Sequence, residues 1–233
     1  MGADLSQFEK KIDFHFKNKE LLKTALIHRS YLNEHKDCKL EHNERLEFLG
    51  DAVLELVTTD FLFKKYPAKP EGDLTTYRSA LVNANTCSTL ASELGINDLL
   101  FLSRGESKDI GRARQIILAN AYEAVVGAIY LDQGYESARN FIEKFLLAKA
   151  EGIIDKSMGE DYKSDFQKKA QELLNITPSY NLLSESGPDH DKIFTVGLFL
   201  KKDQIATGSG KSKQEAEQEA AKEGLRVKKW DKK

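Results

Sequence analysis

Apolar residues recur at intervals of three and four through the first two thirds of the chain. Leu21, Leu22, Ala25 and Leu26 form one such set. Leu46, Leu49, Val53, Leu56 and Val57 form a second, and Leu81, Leu90, Ala91 and Leu94 a third. This period belongs to helices with one buried face. Ile116–Leu131 is almost wholly apolar over sixteen residues, which is long for a strand and reads as a buried helix. Asn43 stands where an N-cap is needed before Glu44–Leu56, and Asn85 is placed to begin another helix. Turn formers gather at Pro67–Pro70, at Glu71-Gly72-Asp73 and at Gly95. No strand pattern precedes residue 160.

The pattern then changes. Residues 152–160 hold two glycines and a Ser-Met-Gly step with little periodicity, and are expected to form a linker. Tyr162–Leu174 is amphipathic. Ser179–Ser184, Ile193–Leu200 and, more weakly, Gln204–Thr207 carry the alternation and β-branched content of strands. Ser212–Val227 returns to helix, with Ala216, Ala220, Ala221 and Leu225 on one stripe. The expected fold is an all-α domain over 1–151, the linker, and a small α+β module of α-β-β-β-α order over 161–233.

Composition narrows the function. The 233 residues are 40% hydrophobic and 31% charged, enough apolar content for two cores. No apolar stretch approaches a membrane span of roughly 20 residues, so no membrane association is expected. Cys38 and Cys87 form no CxxC, which excludes a disulfide framework and a cysteine zinc site and suggests a reducing, cytoplasmic setting. The net charge of −2 hides a small asymmetry: residues 161–233 hold 14 basic and 12 acidic side chains, residues 1–160 hold 21 and 25. Neither half has the strongly basic footprint of many nucleic-acid binders, so any such role rests on local patterning.

Two helices carry the first candidate chemistry. Glu44, Glu47 and Asp51 lie at i, i+3 and i+7 and project from one helical face. An acidic stripe alone is most simply a solvated face. Glu123 is harder to dismiss. It is the only charged residue between Arg114 and Asp132, with Asn120 three residues before it and Gly127 four after. A carboxylate in so apolar a helix must be paired, ligated, protonated or turned to a polar edge. Gly127 would let another backbone approach closely. If the two polar edges meet, Glu47, Asp51, Asn120 and Glu123 offer only oxygen ligands, which suits Mg²⁺ or Mn²⁺ and not Zn²⁺. Helices donating carboxylates also build di-iron sites, but those use Glu-x-x-His, and no such His follows these acids.

The C-terminal module carries the second. Gly208, Gly210, Lys211, Ser212 and Lys213 open its last helix, where backbone N–H groups and ammonium groups can hold phosphate. Ser164, Gln167 and Gln171 share one face of its first helix, offering uncharged hydrogen-bonding groups suited to 2′-hydroxyls and base edges of an A-form minor groove. His190 lies in the loop Gly187–Lys192 between two strands. Each element has a plain alternative as a capped helix start or a surface polar residue.

These motifs together resemble bacterial ribonuclease III across nearly the whole chain. The likeness rests on His28-Arg29-Ser30-Tyr31, NERLEFLGDAVL at 43–54, PEGD at 70–73, YRSALV at 77–82, GES at 105–107 and EAVVGAIYLD at 123–132. The C-terminal part resembles a double-stranded RNA-binding domain through DYKS at 161–164, GPDH at 187–190 and GSGKSKQEAEQEAA at 208–221. The resemblance implies a homodimeric, helical endonuclease domain with a tethered duplex-binding domain. It implies Mg²⁺-dependent hydrolysis of both strands of double-stranded RNA, leaving 5′-phosphates, 3′-hydroxyls and short 3′ overhangs, in rRNA and mRNA processing. It assigns Glu47, Asp51 and Glu123 as catalytic metal ligands, Glu44 and Glu71 as supporting acids, and Phe48 as a dimer contact. Ser164, Gln167, Gln171 and His190 match groove contacts; Lys211, Ser212 and Lys213 match the phosphate-binding end. One departure stands out: Asn120 occupies a position where the family usually has Asp. An amide can ligate metal but brings no charge and cannot act as a base. The alternative reading is therefore a cleavage-impaired, duplex-binding homodimer. Gln214, where lysine is common, is a milder departure.

Overall fold

A computed structural model describes residues 5–187 and 192–230. The chain divides into two compact units, Met1–Ile154 and Asp155–Lys233.

The first unit is helical, as its period dictates. Its elements are α1 (Leu5–Ile12), α2 (Lys19–Ala25), α3 (Arg29–Glu34), α4 (Glu44–Lys65), α5 (Glu71–Val82), α6 (Ala84–Leu94) and α7 (Arg112–Phe145). The apolar run predicted over Ile116–Leu131 is the buried half of α7: Ala121, Tyr122, Ala124, Val125, Val126, Ala128 and Ile129 are all solvent-inaccessible. The helix outruns that prediction because it breaks and resumes at Gln133–Gly134, where Gly134 takes a positive φ of 82°. Asp132 beside the break accepts the backbone N–H groups of Lys17 and Asn18, each at 2.8 Å, and so anchors the chain entering α2.

Two capping expectations change. Asn43 does precede α4, but its side chain caps nothing. It is 2% exposed and donates through Nδ2 to the Ala25 carbonyl at 3.2 Å, tying the start of α4 to the end of α2. The helix expected from Asn85 starts earlier, because Asn83 is the cap and accepts the Thr86 N–H at 2.9 Å.

The segment expected as a linker, 152–160, is helical: Ala150–Glu160 forms α8, and the division between the two units falls within it. Ala150 and Ile154, one turn apart, are both buried. Packing on that side outweighs the roughly 1 kcal/mol per glycine that Gly152 and Gly159 cost a helix.

The second unit follows the predicted order: α9 (Tyr162–Leu174), β1 (Ser179–Ser186), β2 (Ile193–Leu200), β3 (Asp203–Gly210) and α10 (Lys213–Lys228). The strands form an antiparallel sheet of order β1-β2-β3, with Tyr180 opposite Leu198 and Leu198 opposite Ala206. Phe166 and Ala170 of α9, Leu198, Leu200 and Ala206 of the sheet, and Ala220, Ala221 and Leu225 of α10 make the core. Gly208 and Gly210, expected at the opening of the last helix, are instead the end of β3. Gly208 is required there: a Cβ would lie 2.1 Å from the Ala220 nitrogen and 2.4 Å from the Ala216 carbonyl oxygen. Strand and helix backbones touch. Among the described residues, no helix is long and apolar enough to cross a membrane.

Candidate active site and RNA-binding face

The polar edges of α4 and α7 do meet. The two helices cross with backbones in contact at a pair of glycines. A Cβ on Gly50 would fall 1.8 Å from the Glu123 carbonyl oxygen, and one on Gly127 would fall 2.2 Å from that of Leu46. Only hydrogen fits at either position. Glu47 and Asp51 flank Gly50 on α4, while Asn120 and Glu123 precede Gly127 on α7, so the crossing brings the four oxygen-bearing side chains to one surface.

Their electrostatics record the proximity. Burial pushes the Glu123 carboxyl up, with further repulsion from Asp51 and then Glu47, to about 8. Glu47 is raised by burial and by its neighbours Glu44 and Asp51, while the Asn120 amide lies against it and favours its charged form. Among the described residues, Glu47, Asp51 and Glu123 have no ion-pair partner. Glu44 does, although loosely: Arg29 and His42 each approach it at 3.7 Å. Both Glu44 and Glu47 lie in the first turn of α4, where the helix dipole eases the accumulation of negative charge.

The wall behind these acids is dry. Tyr122 and Cys87 are fully buried, and both are raised by burial and by the charge of Glu123. A dry wall lowers the local dielectric and magnifies each like-charge contact in front of it. The donors are all oxygen, and the charge among them is uncompensated, which fits a hard divalent cation. Among the described residues no three Asp, Glu, His or Cys side chains already converge on one point.

The other predicted residues are distributed as follows. Glu71 opens α5 after Pro70 and is exposed, its carboxylate accepting the Thr75 hydroxyl at 3.0 Å. It is not among the charges acting on Glu47 or Glu123, so within one chain it stands apart from the cluster. Phe48, next to Glu47, is 82% exposed. The HRSY and GES motifs share one cleft: His28, Arg29, Ser30 and Asn33 face Glu106 and Ile116. There the Ser30 hydroxyl accepts the Ser103 N–H at 3.1 Å and binds the loop before α7 to α3.

In the second unit, Ser164, Gln167 and Gln171 lie exposed on one edge of α9. Gln171 Nε2 donates to Asn175 Oδ1 at 2.7 Å. At the start of α10 the phosphate-binding expectation is modified. Ser212 Oγ accepts the Glu215 N–H at 3.2 Å, and the Glu215 carboxylate accepts the Lys211 N–H at 2.8 Å. The Lys211 and Glu215 N–H groups are thus already engaged, and Lys211 and Lys213 are both exposed, with the Lys213 ammonium 5.9 Å from the centre of the Phe194 ring. His190 lies outside the described residues.

Sequence reasoning missed Gly50. A glycine inside an otherwise well-formed helix costs about 1 kcal/mol and signals a packing reason, and that signal was present. It also missed Tyr122 and Cys87, which read as ordinary core, and the polar contacts joining α9 to α10, which no period announces.

Similarity to characterised families accords with this geometry. Residues 18–150 match the family model described as Ribonuclease-III-like, and residues 162–228 match the double-stranded RNA binding motif. The chain is 46% identical over 224 residues to Ribonuclease 3 of a Nitratiruptor species, covering 96% of each. It is 46% identical over 229 residues to Ribonuclease 3 of Carboxydothermus hydrogenoformans, covering 98% of this chain and 97% of that one. Among solved structures, the nuclease domain of ribonuclease III from Campylobacter jejuni aligns at TM-score 0.54 and 37% identity, covering 67% of this chain and 99% of that one. It is described as flexible in a region involved in dimer formation.

Proposed function

This chain belongs to the ribonuclease III family, and we propose that it hydrolyses both strands of double-stranded RNA at the α4–α7 crossing. The observation that carries the reading is the Gly50–Gly127 contact, which holds Glu47, Asp51, Asn120 and Glu123 together at an electrostatic cost that a proton on Glu123 relieves in the metal-free chain and a bound divalent cation would offset. Three carboxylates and an amide oxygen would hold Mg²⁺, with Mn²⁺ as a substitute. When bound, such a cation polarises water and neutralises charge developing on the phosphate oxygens.

The side chains have separate duties. Glu123, whose carboxyl burial and its acidic neighbours raise to about 8 in the metal-free chain, would give up its proton to serve as a ligand. Glu47 and Asp51 supply charge from the other helix. Asn120 orients Glu47 without adding charge. Glu44 and Glu71 act as supporting acids along the RNA path. The α9 edge and the Lys211 and Lys213 ammonium groups hold the duplex, by shape more than by sequence, because the RNA major groove is too narrow to read. The products are 5′-phosphate and 3′-hydroxyl ends with short 3′ overhangs, and the cellular role is processing of rRNA and mRNA precursors in the cytoplasm. The working form is a homodimer. Phe48, exposed beside Glu47, is available as a contact to the second copy.

A second reading, a cleavage-impaired duplex binder, draws on the missing charge at position 120. Incubating the chain with long duplex RNA and Mg²⁺ and resolving the products on a gel separates the two. Shortening of the duplex, stopped by chelation, supports the nuclease. A shifted but intact band supports the binder.

A further inference from the structure

Recognition of an A-form duplex by shape demands that two separated groups of contacts keep a fixed spacing. Here one group is the edge of α9 with Ser164, Gln167 and Gln171, and the other is the start of α10 with Lys211 and Lys213. What fixes one helix against the other is therefore part of the recognition.

The apolar contacts between them hold the rest of the pair: Phe166 of α9 shares a core with Leu225 of α10 and lies 5.2 Å from the Trp230 ring just past it, and Gly224 lies so close to Phe166 that a Cβ would sit 2.9 Å from its ring. Being non-directional, such contacts resist sliding at the first turn of α9 less than a fixed set of donors and acceptors does. Directional polar contacts do resist it. Gln218 of α10 uses both ends of its amide on the first turn of α9. Its Oε1 accepts the Lys163 N–H at 3.0 Å, and its Nε2 donates to Asp161 Oδ1 at 3.3 Å. Asp161 is the N-cap of α9, and the same Oδ1 accepts the Ser164 N–H at 3.2 Å. The first-turn donors of any helix need partners from outside it, and here one of them comes from α10. Alongside, Lys163 Nζ donates to Glu217 Oε2 at 2.6 Å and lies 4.9 Å from the centre of the Tyr180 ring of β1.

We propose that Gln218, with the Lys163–Glu217 pair beside it, is a positioning residue for duplex recognition: it holds the first turn of α9 so that Ser164 and Gln167 meet the minor groove in register with the phosphate contacts of α10. This rests on the duplex-RNA function proposed above. Gln218 itself touches no RNA; it acts through Asp161 and the α9 backbone.

The test is fluorescence anisotropy of the full chain, without divalent cation, on a labelled RNA duplex of about 16 base pairs. Gln218→Met keeps the volume and removes both hydrogen bonds, and should weaken binding about tenfold, with the salt dependence unchanged because the lysines remain. It should add little when Ser164, Gln167 and Gln171 are already alanine, yet add fully to Lys213→Ala. A loss of fold would weaken both backgrounds alike. Wild-type affinity in Gln218→Met, or full additivity on the α9 background, would each overturn the inference. Failure of the unsubstituted chain to bind duplex at all would instead overturn the proposed function, and this inference with it.

Discussion

The α4–α7 crossing and the RNA-binding face of the second unit handle charge in opposite ways. At the crossing, Glu47, Asp51 and Glu123 are crowded against a dry wall and repel one another, so the protonation of Glu47 and Glu123 is displaced toward the neutral form. On the second unit, Lys211 and Lys213 stand exposed at a helix start, where water and salt screen them. The first arrangement is costly at rest and, on the proposed function, would be relieved by a cation. The second costs little and would act only when a polyanion arrives. A site of chemistry is thus marked by energy the fold spends, and a binding surface by pattern alone.

Four substitutions and one titration sharpen this contrast. Glu123→Gln should have the largest effect, lowering cleavage by roughly three orders of magnitude or more while leaving duplex affinity nearly unchanged. Cleavage assays beside binding titrations check it, and loss of binding with cleavage preserved would dissociate Glu123 from the reaction.

Gly127→Ala comes next. The new methyl meets a backbone carbonyl, which cannot step aside, so the helices must part. Denaturant unfolding should show a loss of about 1–3 kcal/mol, with cleavage reduced further than stability alone explains. Asn120→Asp adds the missing charge and should raise activity about tenfold at limiting Mg²⁺, with less gain at saturation. An unaltered metal dependence would place position 120 outside the coordination shell. Lys213→Ala should weaken duplex binding a few-fold and lower the salt slope by about one contact, leaving cleavage at saturating RNA unaffected.

The smallest effect is on stability against pH. Glu123 is raised from the ordinary carboxylate range to about 8 in the folded chain. Below the ordinary range both folded and unfolded chains are protonated there, and the strain is absent. As pH rises, the unfolded chain releases its proton first, so stability falls until about pH 8. Melting of the metal-free chain from mildly acidic pH up to that value should show a decline of a few degrees, flattened in Glu123→Gln and by added Mg²⁺. An identical decline in Glu123→Gln would assign it to other groups.

The amino-acid sequence by itself determined the helical and mixed halves, the buried stretch around Glu123, the three strands and the oxygen-only character of the candidate ligands. These are short-range matters: period, propensity and residue chemistry act within a few positions of one another. It determined less where local preference is weak. The helix over Ala150–Glu160 depends on the burial of Ala150 and Ile154, and the side chain of Asn43 turns from capping to binding Ala25 because of what lies beside it. Only the tertiary structure decided that Gly50 meets Gly127, that Glu123 is therefore held against Asp51 and Glu47, and that Gln218 completes the start of α9. Those facts join residues far apart along the chain, and contact at such separation is settled by how whole surfaces pack.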